Sequence, residues 1–311
     1  MLVTGGAGFL GQVLTKKLHE RGVGELLAPR SSEYDLTRPD DVGKLFAEAA
    51  PDLVIHLAAR VGGIGANMAH PAELYLTNLL MGTYVIEEAR RRDVAKTVVL
   101  GTICAYPKFT PVPFKEEELW NGYPEETNAP YGLAKKALLV HAQANHQQFG
   151  QNAIHLLLTN LYGPGDKFNP SVSHVIPALI KKFVEASETS ADHVDVWGTG
   201  TATREFLYVD DAAEAIALAA ERYDSPEPVN VASGREIAVK KLAELVASLA
   251  GFHGELIWDA SKPDGQPRRG LDTSRAKEAF GFEAQVPLEE GLRETVAWYL
   301  ENRTAAEAAT I

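Results

Sequence analysis

An α/β fold built on a doubly wound parallel sheet is what three features of these 311 residues predict. A short apolar strand at the N-terminus runs straight into a glycine-rich turn and an amphipathic helix. Apolar runs that read as strands buried on both faces then alternate with helical patterns as far as residue 163. Beyond it the alternation breaks down. Residues 164–204 and 233–311 read as a smaller, interleaved C-terminal lobe, with 205–232 returning to the first.

The first element, Leu2-Val3-Thr4, leads into Gly5-Gly6-Ala7-Gly8-Phe9-Leu10-Gly11, and Leu10, Val13, Leu14 and Leu18 then mark one stripe of a helix. Strand, glycine loop and helix in this order begin a Rossmann-type dinucleotide-binding fold. Bare backbone lets a pyrophosphate approach, and the helix N-terminus offers N–H groups and the positive end of its dipole. A second strand is expected at Glu25–Ala28, ending where the adenosine ribose is read. An acidic residue there would accept from the 2′-hydroxyl of NAD; here Arg30 and Ser31 follow, which suit the 2′-phosphate of NADP(H). A solvated turn arginine would leave the same trace, so NAD(H) stays open as the alternative. Asp35 and Leu36 are expected in a short strand before a helix opening near Pro39.

Asp52–Ala59 reads as a strand buried on both faces, with His56 packed near its end and Leu57, Ala58 and Ala59 letting a cofactor lie on the backbone. Gly62–Gly65 is expected as a flexible loop, followed by a long helix from Pro71 to Arg92. Asn78 in that helix is either a buried hydrogen-bonding group near the nicotinamide or an ordinary polar helix residue. The next strand, Val98–Gly101, reads as buried and delivers Thr102, Ile103 and Cys104 to the carboxyl end of the sheet, where ligands of such folds sit. A proline- and acid-rich loop over 108–126 covers this end. Ala153–Leu158 is a further strand, delivering Asn160, Leu161, Tyr162 and Gly163 to the same end. A helix bearing Lys181 and Lys182, a strand at Val194–Gly198, a strand and helix from Arg204, and a strand at Val229–Val231 that rejoins the main sheet come next. The chain closes with a Lys262–Gly265 turn, a helix over 288–302 and a tail, 303–311, expected to fray.

Composition narrows the function classes. Hydrophobic residues are 45% and charged residues 23%, as in globular proteins, and the net charge of −12 disfavours nucleic acid and anionic membranes as partners. An anionic substrate therefore needs a local basic cluster. Cys104 is the only cysteine, so no internal disulfide can form, and a reducing, cytoplasmic setting is expected. No apolar run is long enough to span a membrane, no signal-peptide pattern is present, and no metal site is expected.

The chemistry concentrates in Pro130-Tyr131-Gly132-Leu133-Ala134-Lys135. Tyr131 and Lys135 stand one helical turn apart on one face. A phenol ionises near pH 10, and an ammonium beside it favours the phenolate. Such a pair suits proton exchange with an alcohol or ketone oxygen while a hydride moves.

The glycine loop, Thr102 and the Tyr131/Lys135 pair together resemble the extended short-chain dehydrogenase/reductase family. The likeness narrows to its GDP-L-fucose synthases over Val61–Ile64, 101–108, Thr159–Pro164, 169–179, Trp197–Gly200, Arg204–Leu207 and Ser261–Gly265. The resemblance implies a GDP-4-keto-6-deoxy sugar substrate, epimerised at C3 and C5 and reduced at C4 with NADPH, and a homodimer formed through the two long helices. It assigns Asp35 and Leu36 to the adenine. It also adds Leu100, Gly101, Thr102, Ile103, Asn160, Leu161, Tyr162, Gly163 and His174 to the cofactor's surroundings, with Lys135 on the nicotinamide ribose. Tyr131 and Thr102 would hold the C4 oxygen, while Cys104 and His174 would move protons at C3 and C5. Their free values of about 8.5 and about 6.5 bracket neutrality. Lys182, Trp197, Arg204, Lys262 and Asp264 would meet the nucleotide diphosphate. Threonine stands at 102 and isoleucine at 103 where many fucose synthases carry serines, which is expected to reshape the pocket beside the sugar. Lys182 stands where relatives often carry arginine. A nucleotide-sugar epimerase without net reduction, or a related 4-ketoreductase, is the alternative. A 4,6-dehydratase is disfavoured because Ile103 and Cys104 occupy the places of its acidic pair.

Overall fold

The computed structural model describes residues 1–170, 172–262 and 265–308. Strand β1 (Leu2–Thr4) is fully buried and turns through the glycine loop into α1 (Phe9–Glu20), which buries Leu14 and Leu18 against the sheet. Helix α2 (Pro39–Ala49) begins with proline in its first turn and carries Asp40 and Asp41 there, where acids complement the dipole. Then follow β2 (Leu53–His56), α3 (Ile64–Ala69), α4 (Pro71–Arg91) and β3 (Lys96–Thr102), whose residues are buried throughout. A 3₁₀ turn at Ile103–Ala105 and another at Glu116–Trp120 lead to α5 (Ala129–Phe149). Next come β4 (Ala153–Leu158), β5 (Asn160–Tyr162), α6 (Val175–Glu188), β6 (His193–Trp197), β7 (Thr203–Tyr208) and α7 (Val209–Arg222). The chain ends with β8 (Val229–Val231), β9 (Glu236–Ala238), α8 (Val239–Leu249), β10 (Glu255–Asp259), α9 (Ser274–Phe280) and α10 (Leu288–Ala308).

The main sheet has the order β1-β2-β3-β4-β8, and every neighbouring pair is parallel. The predicted return of 229–231 to this sheet is observed. Leu27 adds one parallel bridge on the far side of β1, so the chain first winds one way from β1 and then crosses to β2 on the other. That reversal places the topological switch beside the glycine loop, where such sheets bind nucleotides. Two smaller sheets complete the fold: β6 with β10, and β5-β7-β9. One apolar cluster joins the main sheet to α1 and α7, while another packs α6, α8 and α10 around β6 and β7.

Four expectations differ from the structure. The strand at Glu25–Ala28 shrinks to the Leu27 bridge, held by Val3 N–H to Leu27 O (2.9 Å) and Leu27 N–H to Met1 O (3.0 Å). Leu27 itself is exposed, and among the described residues this segment pairs only with β1. Asp35 lies in a turn rather than a strand, because its Oδ1 accepts from the N–H (2.9 Å) and Oγ1 (2.7 Å) of Thr37. Such a local bond competes with strand pairing. The segment from Ile64 forms α3 rather than a loose loop, with the Asn67 amide donating to the carbonyls of Gly62 (2.8 Å) and Gly63 (3.1 Å). Residues 303–308 continue α10 past a kink at Asn302, because Arg303 reaches Glu185, Glu188 and Glu307, and Lys181 reaches Glu307.

Candidate active site

The glycine loop is shaped for a close ligand. Gly5 has φ +76°, and a Cβ there would lie 2.7 Å from the N atom of Ala58. Only glycine fits that crossing. Gly8 caps α1 without a side-chain hydrogen bond, so the first-turn N–H groups face outward, and Ala7 and Gly8 are exposed. Gly6 and Gly11 are buried in the loop's underside, and Phe9 and Leu10 are half-buried at its rim. The Phe9 ring lies near Gly165, bringing the segment after β5 to the loop. These features fit a dinucleotide pyrophosphate on an observation of backbone geometry. Arg30 and Ser31 are exposed just beyond the Leu27 bridge, free to meet a 2′-phosphate. Leu57, Ala58 and Ala59 are half-buried and continue β2 along the same cleft.

Several residues expected around the cofactor also have structural partners of their own. Leu36 is buried in the cluster with Leu2, Val42 and Leu45, so its side chain is committed to the core. Asn78 accepts from Arg60 N–H (3.1 Å) and donates to the carbonyls of Arg60 (2.9 Å) and Leu74 (2.7 Å). Its amide thus clamps the Arg60 backbone to the α4 helix as a buried hydrogen-bonding group. Tyr162 is 1% exposed and packs edge-on against Phe206 and Tyr208, so it belongs to the second core. Leu100 and Gly101 are buried strand residues, while Asn160 donates to Glu205 O (3.0 Å) beside the half-buried Leu161. Gly163 turns the chain against Val209 at φ +150°. Ile103 is 2% exposed and packs with Tyr106, Phe114 and Leu139. Its side chain therefore points into the core and does not reshape the sugar pocket, contrary to expectation.

The reacting groups gather where β3 ends against α5. A Cβ on Gly132 would sit 2.2 Å from the Cys104 carbonyl oxygen, so the helix lies flush on the 3₁₀ turn. This contact sets Tyr131, one residue earlier, beside the Thr102–Cys104 segment. Thr102 Oγ1 accepts from Cys104 N–H (3.2 Å), which leaves its hydroxyl proton for another oxygen. Cys104 is half-buried, and its Sγ lies 3.9 Å from Nη1 of Arg269. Burial, and then the nearby Cys104 sulfur, push Tyr131 above the ordinary phenol value. Burial outweighs the expected effect of Lys135, so Tyr131 holds its proton and is set up to donate it.

Lys135 is 2% exposed and is pulled down to about 8 by burial. Beneath it lie His56 and His155, both held down to about 3 by burial and then by the Lys135 charge. His56 shares its Nδ1 with Thr4 Oγ1 at 2.8 Å, so it is a packed strand-end residue, as its position predicts. Lys135 is charged below about pH 8 and neutral above it. Reduction is therefore expected to fall as pH rises through about 8, measured as kcat/KM in steady-state rates. Because the folded value lies below that of a free lysine, the cost of burying this charge is felt below pH 8. It disappears as pH rises toward the free value.

His174 stands at the N-cap position of α6, where its side chain makes no bond to the helix. Desolvation and then Lys167 lower its proton affinity. The preceding Ser173 carbonyl would lie 2.6 Å from a Cβ on Gly63, and Gly63 N–H donates to Val172 O (3.3 Å), so the Gly62–Gly63 loop fixes this segment.

The cations expected to meet a substrate are each held by local contacts. Arg204 on β7 donates from Nη1 to the carbonyls of Thr203 (2.7 Å) and Gln266 (2.6 Å). Gln266 in turn donates to Lys108 O (2.6 Å) and accepts from Arg269 Nε (2.9 Å). Farther out, Lys262 stands 5.5 Å above the ring of Trp197, which is 63% exposed. Lys182 donates to Asp195 O (3.0 Å) on the same strand as Trp197. Asp264 lies outside the described residues. Sequence reasoning missed Gln266 and Arg269. Their signal was the Gln-Pro-Arg-Arg run directly after the Lys262 turn, a basic pair in an acidic chain.

The sequence model of the NAD dependent epimerase/dehydratase family matches residues 1–232. This chain belongs to that family. Among its relatives, a protein of Oryza sativa subsp. japonica named probable GDP-L-fucose synthase 1 is 45% identical, over 99% of this chain and 94% of the relative. A crystal structure titled GDP-L-fucose synthetase from Naegleria fowleri bound to NADP superposes with a TM-score of 0.90 at 28% identity, covering 98% of this chain and 95% of that one. One titled GDP-6-OMe-4-keto-L-xylo-heptose reductase from C. jejuni gives 0.91 at 28% identity, with 97% of each chain covered. The fold of this family member is the one these solved structures share.

Proposed function

We propose that the chain is an NADP(H)-dependent enzyme of the GDP-L-fucose synthase type, epimerising a GDP-4-keto-6-deoxy sugar at C3 and C5 and reducing it at C4. The observation that carries this reading is the seating of Gly132 on the Cys104 carbonyl, which gathers a hydroxyl, a thiol and a phenol. Relatives named GDP-L-fucose synthase, at 39–45% identity over nearly the full chain, support the same substrate class. When bound, NADPH supplies the hydride for C4.

A C4 ketone acidifies the protons on both neighbouring carbons, because the electron pair released there moves onto the ketone oxygen. Tyr131 and Thr102 would stabilise that oxygen by hydrogen bonds as charge develops on it. Cys104 would take a proton from C3 or C5 as thiolate, and His174 would return one from the opposite face. Tyr131 then gives its proton to the C4 oxygen during reduction, with Lys135 charged beneath it. Arg204, Lys182 and Lys262 would face the diphosphate and Trp197 the nucleotide.

The test is NADPH oxidation with a panel of GDP-, dTDP- and UDP-4-keto sugars, followed by product stereochemistry. Turnover is expected with the GDP sugar and inverted centres at C3 and C5. A product retaining both centres would favour the plain 4-ketoreductase, and product without NADPH consumption the epimerase. The exposed Tyr75 and Leu76 on α4 and Val140 on α5 support a homodimer through these paired helices, which light scattering would read as twice the chain mass. The sole cysteine suits the cytoplasm. The net charge of −12 opposes nucleic acid as a partner, and among the described residues no helix is long and apolar enough to cross a membrane.

A further inference from the structure

We propose that Arg269 is a positioning residue for the epimerisation half of the reaction, the cation that holds Cys104 as a thiolate aimed into the cleft. Its role in catalysis rests on the proposed function, but its contact with the sulfur does not. Arg269 is 8% exposed, and its Nη1 stands 3.9 Å from Cys104 Sγ. Buried guanidinium groups need partners for their donors. Here Nε is fixed on Gln266 Oε1 at 2.9 Å, and Gln266 is itself fixed on the Lys108 carbonyl at 2.6 Å.

The segment carrying Arg269 is held from both sides. Gly270 O accepts from Phe114 N–H (2.8 Å), and Leu271 N–H donates to the buried carboxylate of Glu205 (2.9 Å). The backbone beside Arg269 is thus fixed, and the bond from Nε to Gln266 Oε1 is what holds the guanidinium itself. Glu125 is the facing acid, within electrostatic reach of Arg269. Its carboxylate is already engaged by Thr127 Oγ1 (2.6 Å) and Asn128 Nδ2 (2.8 Å) at the start of α5. With Glu125 so engaged, Nη1 of the guanidinium contacts the Cys104 sulfur.

The chemistry asks for such a group. In the proton transfer a C–H bond at C3 or C5 breaks, an S–H bond forms, and the electron pair passes to the ketone oxygen. The base must be anionic before the step, and a fixed guanidinium stabilises that anion by a charge-assisted hydrogen bond.

Because Cys104 is the only cysteine, iodoacetamide reads this one sulfur and needs no sugar substrate. Alkylation rates from pH 6 to 9.5 would be compared for the wild type, Arg269→Gln and Arg269→Lys, with NADPH binding as the check on the fold. Near pH 7 the glutamine variant is expected to react about tenfold more slowly, the lysine variant to recover much of the loss, and all three to converge at the alkaline end where a thiol ionises unaided. A glutamine variant that reacts at the wild-type rate at pH 7, or one slowed equally at every pH, would overturn the proposal. If alkylation behaves as expected while no 4-keto sugar is turned over, the contact stands and the proposed function fails.

Discussion

Tyr131→Phe is expected to lower NADPH-dependent reduction about a thousandfold, since it removes both the proton donor and one hydrogen bond to the developing oxyanion. The structure gives the reason for so large an effect. Burial and the neighbouring sulfur keep the phenol protonated, and Lys135 behind it is enclosed by neutral imidazoles that offer no substitute proton at working pH. Thr102 keeps its hydroxyl on the same oxygen, so exchange of the C3 and C5 protons should fall less than reduction does. Stopped-flow NADPH absorbance and deuterium uptake followed by NMR separate the two. Wild-type turnover in this variant would remove Tyr131 from the mechanism.

Cys104→Ala carries the opposite signature. Deuterium uptake from solvent at C3 and C5 is expected to drop at least about a hundredfold, the usual loss when a general base is removed. Direct reduction of the unepimerised ketone should persist in part. The backbone contact that seats α5 is the Cys104 carbonyl, which alanine retains. Equal loss of both activities in a folded variant would contradict this division between the sulfur and the phenol.

Much of this could be read from the chain because the signals were local. The glycine turn at 5–11, the strand ending at Thr102 and the Tyr131/Lys135 spacing each lie within a few residues, where periodicity and turn chemistry dominate. What went astray depended on contacts between distant segments. Whether 25–28 forms a strand turns on a second partner the chain never provides there. Whether 303–308 frays turns on Glu185 and Glu188, more than a hundred residues earlier. Asn78 carried two readings and Ile103 was expected at the sugar for the same reason, since only the fold shows which neighbours each side chain meets. Arg269 is the clearest case. It lies 165 positions from Cys104, so no local pattern could join the two.

The account stands or falls on one carbonyl oxygen serving both halves of the reaction. The direct measurement is to run the wild-type enzyme with a GDP-4-keto-6-deoxy sugar and NADPH in deuterium oxide and to assign the product by NMR. Deuterium at both C3 and C5, with inverted configuration there and the C4 hydrogen drawn from NADPH, is the expected result. A product reduced at C4 but carrying protium at both neighbouring carbons would contradict the account and leave a simple ketoreductase.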